Sequence, residues 1–110
     1  MISVRFLRDR GHYYYFESRG HADYADKGED IVCAAVSALA FTLVNGILEC
    51  YPGEPIIDHS EEGVLSLELN REDSEWLDTE IQRVFKTINI GMQGIVETYG
   101  DFVELLNEEV

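Results

Sequence analysis

Between Ile31 and Cys50 the chain runs for twenty residues with Glu49 as its one charge and with alanine, leucine and valine in most places, and this run constrains everything around it. Val32, Val36, Leu39, Leu43 and Ile47 recur at helical spacing, which predicts a helix. Asp30 is suited to cap its first turn, and Tyr51-Pro52-Gly53 stops it, because proline cannot continue a helix and glycine favours the turn that follows. A helix this apolar should be largely buried, so the remaining segments must supply a layer to bury it against.

Those segments read mainly as strands. Ile2, Val4 and Phe6 alternate with Ser3 and Arg5, the period of a half-buried strand. Arg8-Asp9-Arg10-Gly11 supplies a turn, and the aromatic stretch from His12 to Ser18 completes a predicted hairpin that closes at Gly20. From His21 to Glu29 the chain is polar, without sustained period, and is expected to be a mobile loop. After the apolar helix, short strands are expected near Pro55 to His59 and Gly63 to Leu69, the second marked by the alternation Leu65, Leu67, Leu69.

Asn70 and Asp73 are both candidate caps for a second helix, which carries Leu77, Ile81, Val84, Phe85, Ile88, Met92, Ile95, Val96 and Tyr99 on one stripe. Gly91 and Gly94 each weaken that helix by about 1 kcal/mol relative to alanine, so its last third is expected to be irregular. Phe102 to Leu105 is expected to form a last strand. The order ββαββαβ implies an α+β fold, an antiparallel sheet with two helices on one face and an outer face bearing Tyr13 and Tyr15. A chain of 110 residues buries about two-thirds of its unfolded surface, which suits a single domain over residues 1–110.

Charge bears on partners. Twenty-two acidic residues against eight basic ones leave a net charge of −14, a field that repels phosphate backbones and argues against direct nucleic-acid binding. The same field would attract a basic protein or peptide, although an acidic surface also serves solubility alone. No basic start leads into an apolar segment, and the long apolar run is broken by Cys33, Ser37 and Thr42, so neither secretion nor a membrane span is expected. A cytoplasmic location with reduced thiols is the expectation.

Chemistry concentrates at one place. Cys33 falls in the first turn of the apolar helix, where unpaired backbone N–H groups and the helix dipole favour a thiolate. Asp30, another anion so close, opposes that effect. His21 lies twelve residues upstream, just after Gly20, and an imidazole beside a cysteine is the minimum set for acyl transfer: it activates the thiol and later protonates the leaving amine. The residues alone leave a plainer reading open, in which Cys33 is a small apolar core residue and His21 an ordinary loop residue. Ser37, one turn after Cys33, shares its face and is a supporting candidate, though serine often bonds back to its own helix.

Other chemistries find little support. Cys50 stands about 25 Å from Cys33 along a straight helix, too far for a disulfide, and reads as a structural thiol. His12, His21, His59 and the two cysteines lack the close spacing of zinc ligands, so no metal is expected. No glycine-rich phosphate loop is present, and no cofactor is expected. The lack of a Cys-x-x-Cys pair counts against redox exchange.

The segment Gly20-His21-Ala22, a short polar loop, and then Gly28-Glu29-Asp30-Ile31-Val32-Cys33-Ala34-Ala35-Val36-Ser37-Ala38-Leu39 resembles the signature of the ribosomal-processing cysteine proteases, the Prp family. The resemblance covers essentially the whole chain. It implies a cysteine endopeptidase that removes the N-terminal extension of large-subunit ribosomal protein L-twenty-seven during ribosome biogenesis. It implies further that Cys33 is the nucleophile, that His21 is the general base, and that Asp30 and Ser37 shape or orient the site. By the same resemblance the protein is a homodimer whose loop, with Ala22, Asp23, Tyr24 and Gly28, covers the substrate groove. That groove should have apolar walls, because the family's substrate is cut after an apolar aromatic stretch. The alternative from another class is a non-catalytic assembly or docking protein that only binds the same peptide.

Overall fold

The computed structural model describes residues 1–26 and 28–110. Strands β1 (Ile2–Asp9) and β2 (His12–Arg19) form the predicted hairpin, followed by helix α1 (Ile31–Cys50). Strands β3 (Ile56–Asp58) and β4 (Val64–Glu68) come next, then a short 3-10 turn at Glu75–Leu77, helix α2 (Thr79–Tyr99) and strand β5 (Val103–Glu109). The α+β order ββαββαβ is therefore as the periodicities indicate.

The sheet runs β3-β4-β2-β1-β5 and is mixed rather than wholly antiparallel, because β5 lies parallel to β1. The reason is geometric. Each helix crosses back over the sheet, so the strand after it starts at the end where the strand before it started. Thus β5 runs like β4, and β4 and β1, both antiparallel to β2, run the same way. Pairing with β1 extends from Val103 to Glu109, beyond the Phe102–Leu105 segment that sequence marks, and its end is polar because β5 is an edge strand.

Val32, Val36, Ala40, Leu43 and Ile47 of α1 meet Ile81, Phe85, Ile88 and Met92 of α2 over Val4, Phe6, Phe16 and Leu67 of the sheet, all of them buried. By length and composition α1 could cross a membrane, yet its apolar face packs into this core. The two helices touch where Gly91 faces Leu39: a β-carbon on Gly91 would stand 2.9 Å from Leu39 Cδ1. Helix α2 is continuous to Tyr99, so the expected irregular end is absent; packing against α1 and the sheet offsets the weak propensity of its glycines.

Two further expectations change. A bulge between Leu7 and Arg8 shifts the hairpin register and turns Tyr13 inward, where its ring stacks on Phe85 at 5.7 Å between centroids, so Tyr13 is not on the outer face. Helix α2 is capped by Asp78, whose carboxylate accepts the Glu80 N–H at 2.8 Å. Asn70 and Asp73 instead close local turns on the N–H groups of Glu72 and Glu75, at 2.9 and 3.0 Å.

Candidate active site

The site forms where the end of β2, the start of α1 and the β3–β4 loop converge. Gly20 leaves β2 with φ +99, and its N–H donates to Gly63 O at 2.8 Å, which joins the two loops beside His21. The His21 ring then lies against Gly63, close enough that a β-carbon there would be 2.9 Å from His21 Nε2.

Asp30 is the hinge pin of the arrangement. Its Oδ1 accepts the N–H groups of Val32 and Cys33 at 3.0 and 2.9 Å, which caps α1, while its Oδ2 accepts those of Tyr24 and Ala25 at 3.0 and 3.4 Å. One carboxylate thereby fixes both the helix start and the preceding loop. The Cys33 N–H above all, and then those of Tyr24 and Ala25, hold the Asp30 carboxyl below the ordinary carboxylate range against the opposing effect of partial burial.

Cys33 is partly exposed, and its Sγ accepts a hydrogen bond from the Ala22 N–H at 3.3 Å. Cys33 occupies the third position of α1, where the N–H groups of Val32 and Cys33 are already taken up by Asp30 Oδ1. Two adjoining cavities share Cys33, His21, Ser37 and Glu62 in their walls. One, of about 220 Å³, continues over Ile2, Val36, Ala40, Phe41, Val64 and Leu65 and is mainly apolar. The other, of about 530 Å³, runs under the loop past Asp23, Ala25, Gly28 and Asp30.

The sequence-predicted residues are thus brought together. His21, Cys33, Ser37 and Asp30 line one connected space, with Asp23 and Gly28 at its loop side. Ala22 is buried and contributes its N–H. Tyr24 differs: its ring turns away onto Tyr99 and Phe102, edge-on at 5.7 and 5.1 Å, and tethers the loop to the end of α2. The described loop residues are therefore held by Asp30 and Tyr24, where sequence suggested a segment with little to restrain it; Lys27 lies outside the described residues.

Sequence reasoning missed His59, Phe41, Glu62 and Gly63 as wall residues. His59 donates Nδ1–H to Val64 O at 2.8 Å, since a carbonyl can only accept, and meets the Phe41 ring edge-on at 5.3 Å. Among the described residues no group of three or more His, Cys, Asp or Glu side chains is placed to hold a metal ion.

A model of the family described as cysteine protease Prp matches residues 1–104. The ribosomal processing cysteine protease Prp of Bacillus subtilis (strain 168) is 39% identical over 61 residues, 56% of this chain and 54% of that protein, so the chain spans about half the length of that relative. The protein of the same name from Staphylococcus aureus (strain Mu50) is 32% identical over 90 residues, 78% of each chain. Among solved structures, the essential ribosomal processing protease Prp from S. aureus with a covalently linked product peptide superposes with TM-score 0.86 at 29% identity, covering 97% of this chain and 99% of that one. The same protease with a substrate peptide gives TM-score 0.80 at 28% identity, with the same coverage.

Proposed function

Because the chain belongs to the cysteine protease Prp family, we propose that it is a cytoplasmic endopeptidase that removes the N-terminal extension of large-subunit ribosomal protein L-twenty-seven, with Cys33 as nucleophile and His21 as its base. The observation that carries this reading is the placement of Cys33: its sulfur sits in the first turn of α1, receives the Ala22 N–H at 3.3 Å, and shares both cavities with His21.

In this reading His21 takes the thiol proton, and the thiolate attacks the scissile carbonyl carbon. A C–S bond forms, the C–N bond breaks, and the imidazolium gives its proton to the departing amine. Water, deprotonated by His21, then cleaves the thioester, releasing the carboxylate product and the free thiol. The Ala22 N–H donates to the sulfur before attack. Asp30 acts as a positioning residue, since its hydrogen bonds go to the backbone on both sides of the sulfur.

Substrate choice follows from the two cavities. The apolar one suits a bulky apolar side chain of the extension, and the net charge of −14 attracts a basic ribosomal protein during encounter. A homodimer is part of the proposal. The test is to incubate the purified protein with a peptide spanning the extension and its junction. Cleavage at the junction that is lost in both Cys33→Ala and His21→Ala supports the assignment, whereas tight binding with no cleavage would favour a docking protein.

A further inference from the structure

Positive charge is scarce in this chain, with eight Lys and Arg residues in all, yet three of them line one cleft near the turn from β1 into β2. Arg8, Arg83 and Lys86, together with His12, line a cleft of about 370 Å³ whose described walls include no carboxylate. Thr79, the first residue of α2, lies in the same wall and adds a hydroxyl near the positive end of that helix. From this we infer that the cleft is a second ligand site, one that binds the oxygens of a phosphate group.

The cleft is built rather than incidental. Gln82 clamps its floor: its Oε1 accepts the Tyr13 N–H at 2.6 Å, and its Nε2 donates to Tyr13 O and Trp76 O, each at 2.8 Å. The backbone of β2 is thereby fixed to α2. His12 donates Nδ1–H to Arg10 O at 3.0 Å and sets its ring edge-on to Trp76, which leaves its Nε2 as the ring's other polar atom. Arg8 lies over the Tyr13 ring at 5.8 Å, with its Nε at 3.5 Å from a Glu109 carboxylate oxygen in a contact that is no hydrogen bond.

Opposing charge is close by. Glu109 faces Arg8 from β5, and Asp78 and Glu80 stand at the start of α2. Arg83 and Lys86, by contrast, form no ion pair with any described carboxylate. Glu109 is also held by the Gly11 N–H at 2.7 Å, so the attraction rests on Arg83 and Lys86, and two adjacent cations favour a compact, multiply charged oxyanion over a monoanion. Phosphate groups arrive either on small oligophosphates or along an RNA backbone with the same local chemistry, and the net charge of −14, which repels a long polyanion most, favours the small source.

The test is an amide-resolved NMR titration of the intact protein with inorganic phosphate, tripolyphosphate and a short oligouridylate, at near-neutral pH and low salt. Saturable shifts are expected at His12, Tyr13, Thr79, Arg83 and Lys86, with tripolyphosphate about tenfold tighter than phosphate. Arg83→Gln/Lys86→Gln should weaken tripolyphosphate about tenfold, while Arg5→Gln/Arg19→Gln, which removes the same charge from the opposite sheet face, should not. Shifts from the oligouridylate that spread past the cleft identify a polymer source, and shifts from tripolyphosphate alone identify a small one. Absence of saturable shifts at the cleft, or equal weakening by the two double variants, overturns the inference. The result is independent of whether Cys33 cleaves a peptide.

Discussion

Gly63 lies so close to His21 that a β-carbon on it would stand 2.9 Å from the imidazole Nε2. Gly63 also holds φ +79, a conformation that side chains rarely adopt. Gly63→Ala should therefore do two things at once: displace the ring and strain the loop. Peptide cleavage should fall by about 10- to 100-fold through misplacement of the base, and stability by about 1–2 kcal/mol. Gly11→Ala separates the effects, because Gly11 has φ +78 with nothing within 4 Å of its β-position. It should lose similar stability, measured by urea unfolding, and keep its cleavage rate. Equal losses of activity in both variants would show that strain, and not the His21 contact, matters.

Asp30 links acid stability to the site. Its carboxyl is held below the ordinary value near 3.8, so the folded state favours the ionised form more than the unfolded chain does. The stabilisation is complete above pH ~4 and fades as pH falls through the lower folded value. Asp30→Asn should remove that part of the acid dependence and lower the thermal midpoint at neutral pH by several degrees, since an amide has one acceptor oxygen and its Nδ2 would face two backbone N–H donors without accepting from either. Thermal melts of both proteins from pH 7 down to pH 2 check this. Parallel acid curves would mean that the carboxylate does not act through its charge.

How much of this was legible in the chain depends on how local each cause is. The cap of α1, its length and the position of Cys33 in its first turn are set by neighbours within a few residues, and the structure places them where the pattern does. The same locality explains the hairpin that closes at Gly20 and the order of elements along the chain. Asp78 went unread because Asn70 and Asp73 carry the same cap chemistry, and only the intervening 3-10 turn decides between them. Tyr13 was misplaced because a bulge cancels the alternation on which the facing rule depends. His59 and Gly63 entered the site through pairing of β2 with β4, a long-range contact with no local signature. The parallel course of β5 is likewise a consequence of two helical crossovers and not of its own residues.

The two cysteines should differ in reactivity. The Cys50 thiol donates to Gly46 O at 3.1 Å and is pushed up by burial first, then by the negative charges of Glu80 and Asp78. Cys33 opens onto two cavities and accepts an N–H at its sulfur. With iodoacetamide near neutral pH, Cys33 should be labelled about tenfold faster or more, as followed by peptide mass analysis. His21→Ala should slow Cys33 and leave Cys50 alone. Equal rates in the folded protein would remove the argument for an activated sulfur.

The glycines of α2 make a final test of packing against propensity. Both lie inside a continuous helix, where alanine is favoured by about 1 kcal/mol. At Gly94 a β-carbon would meet nothing within 4 Å, so Gly94→Ala should realise most of that gain. At Gly91 the same atom would come 2.9 Å from Leu39 Cδ1. Leu39 is only partly buried and its methyl is the far end of a flexible chain, so the side chain can turn aside, but at the loss of contacts with α2. Gly91→Ala should therefore come out near neutral, about 1 kcal/mol behind Gly94→Ala in urea unfolding. A Gly91→Ala variant as stable as Gly94→Ala would mean that the α1–α2 contact has slack, and that Leu39 does not set the spacing between α2 and the helix that carries Cys33.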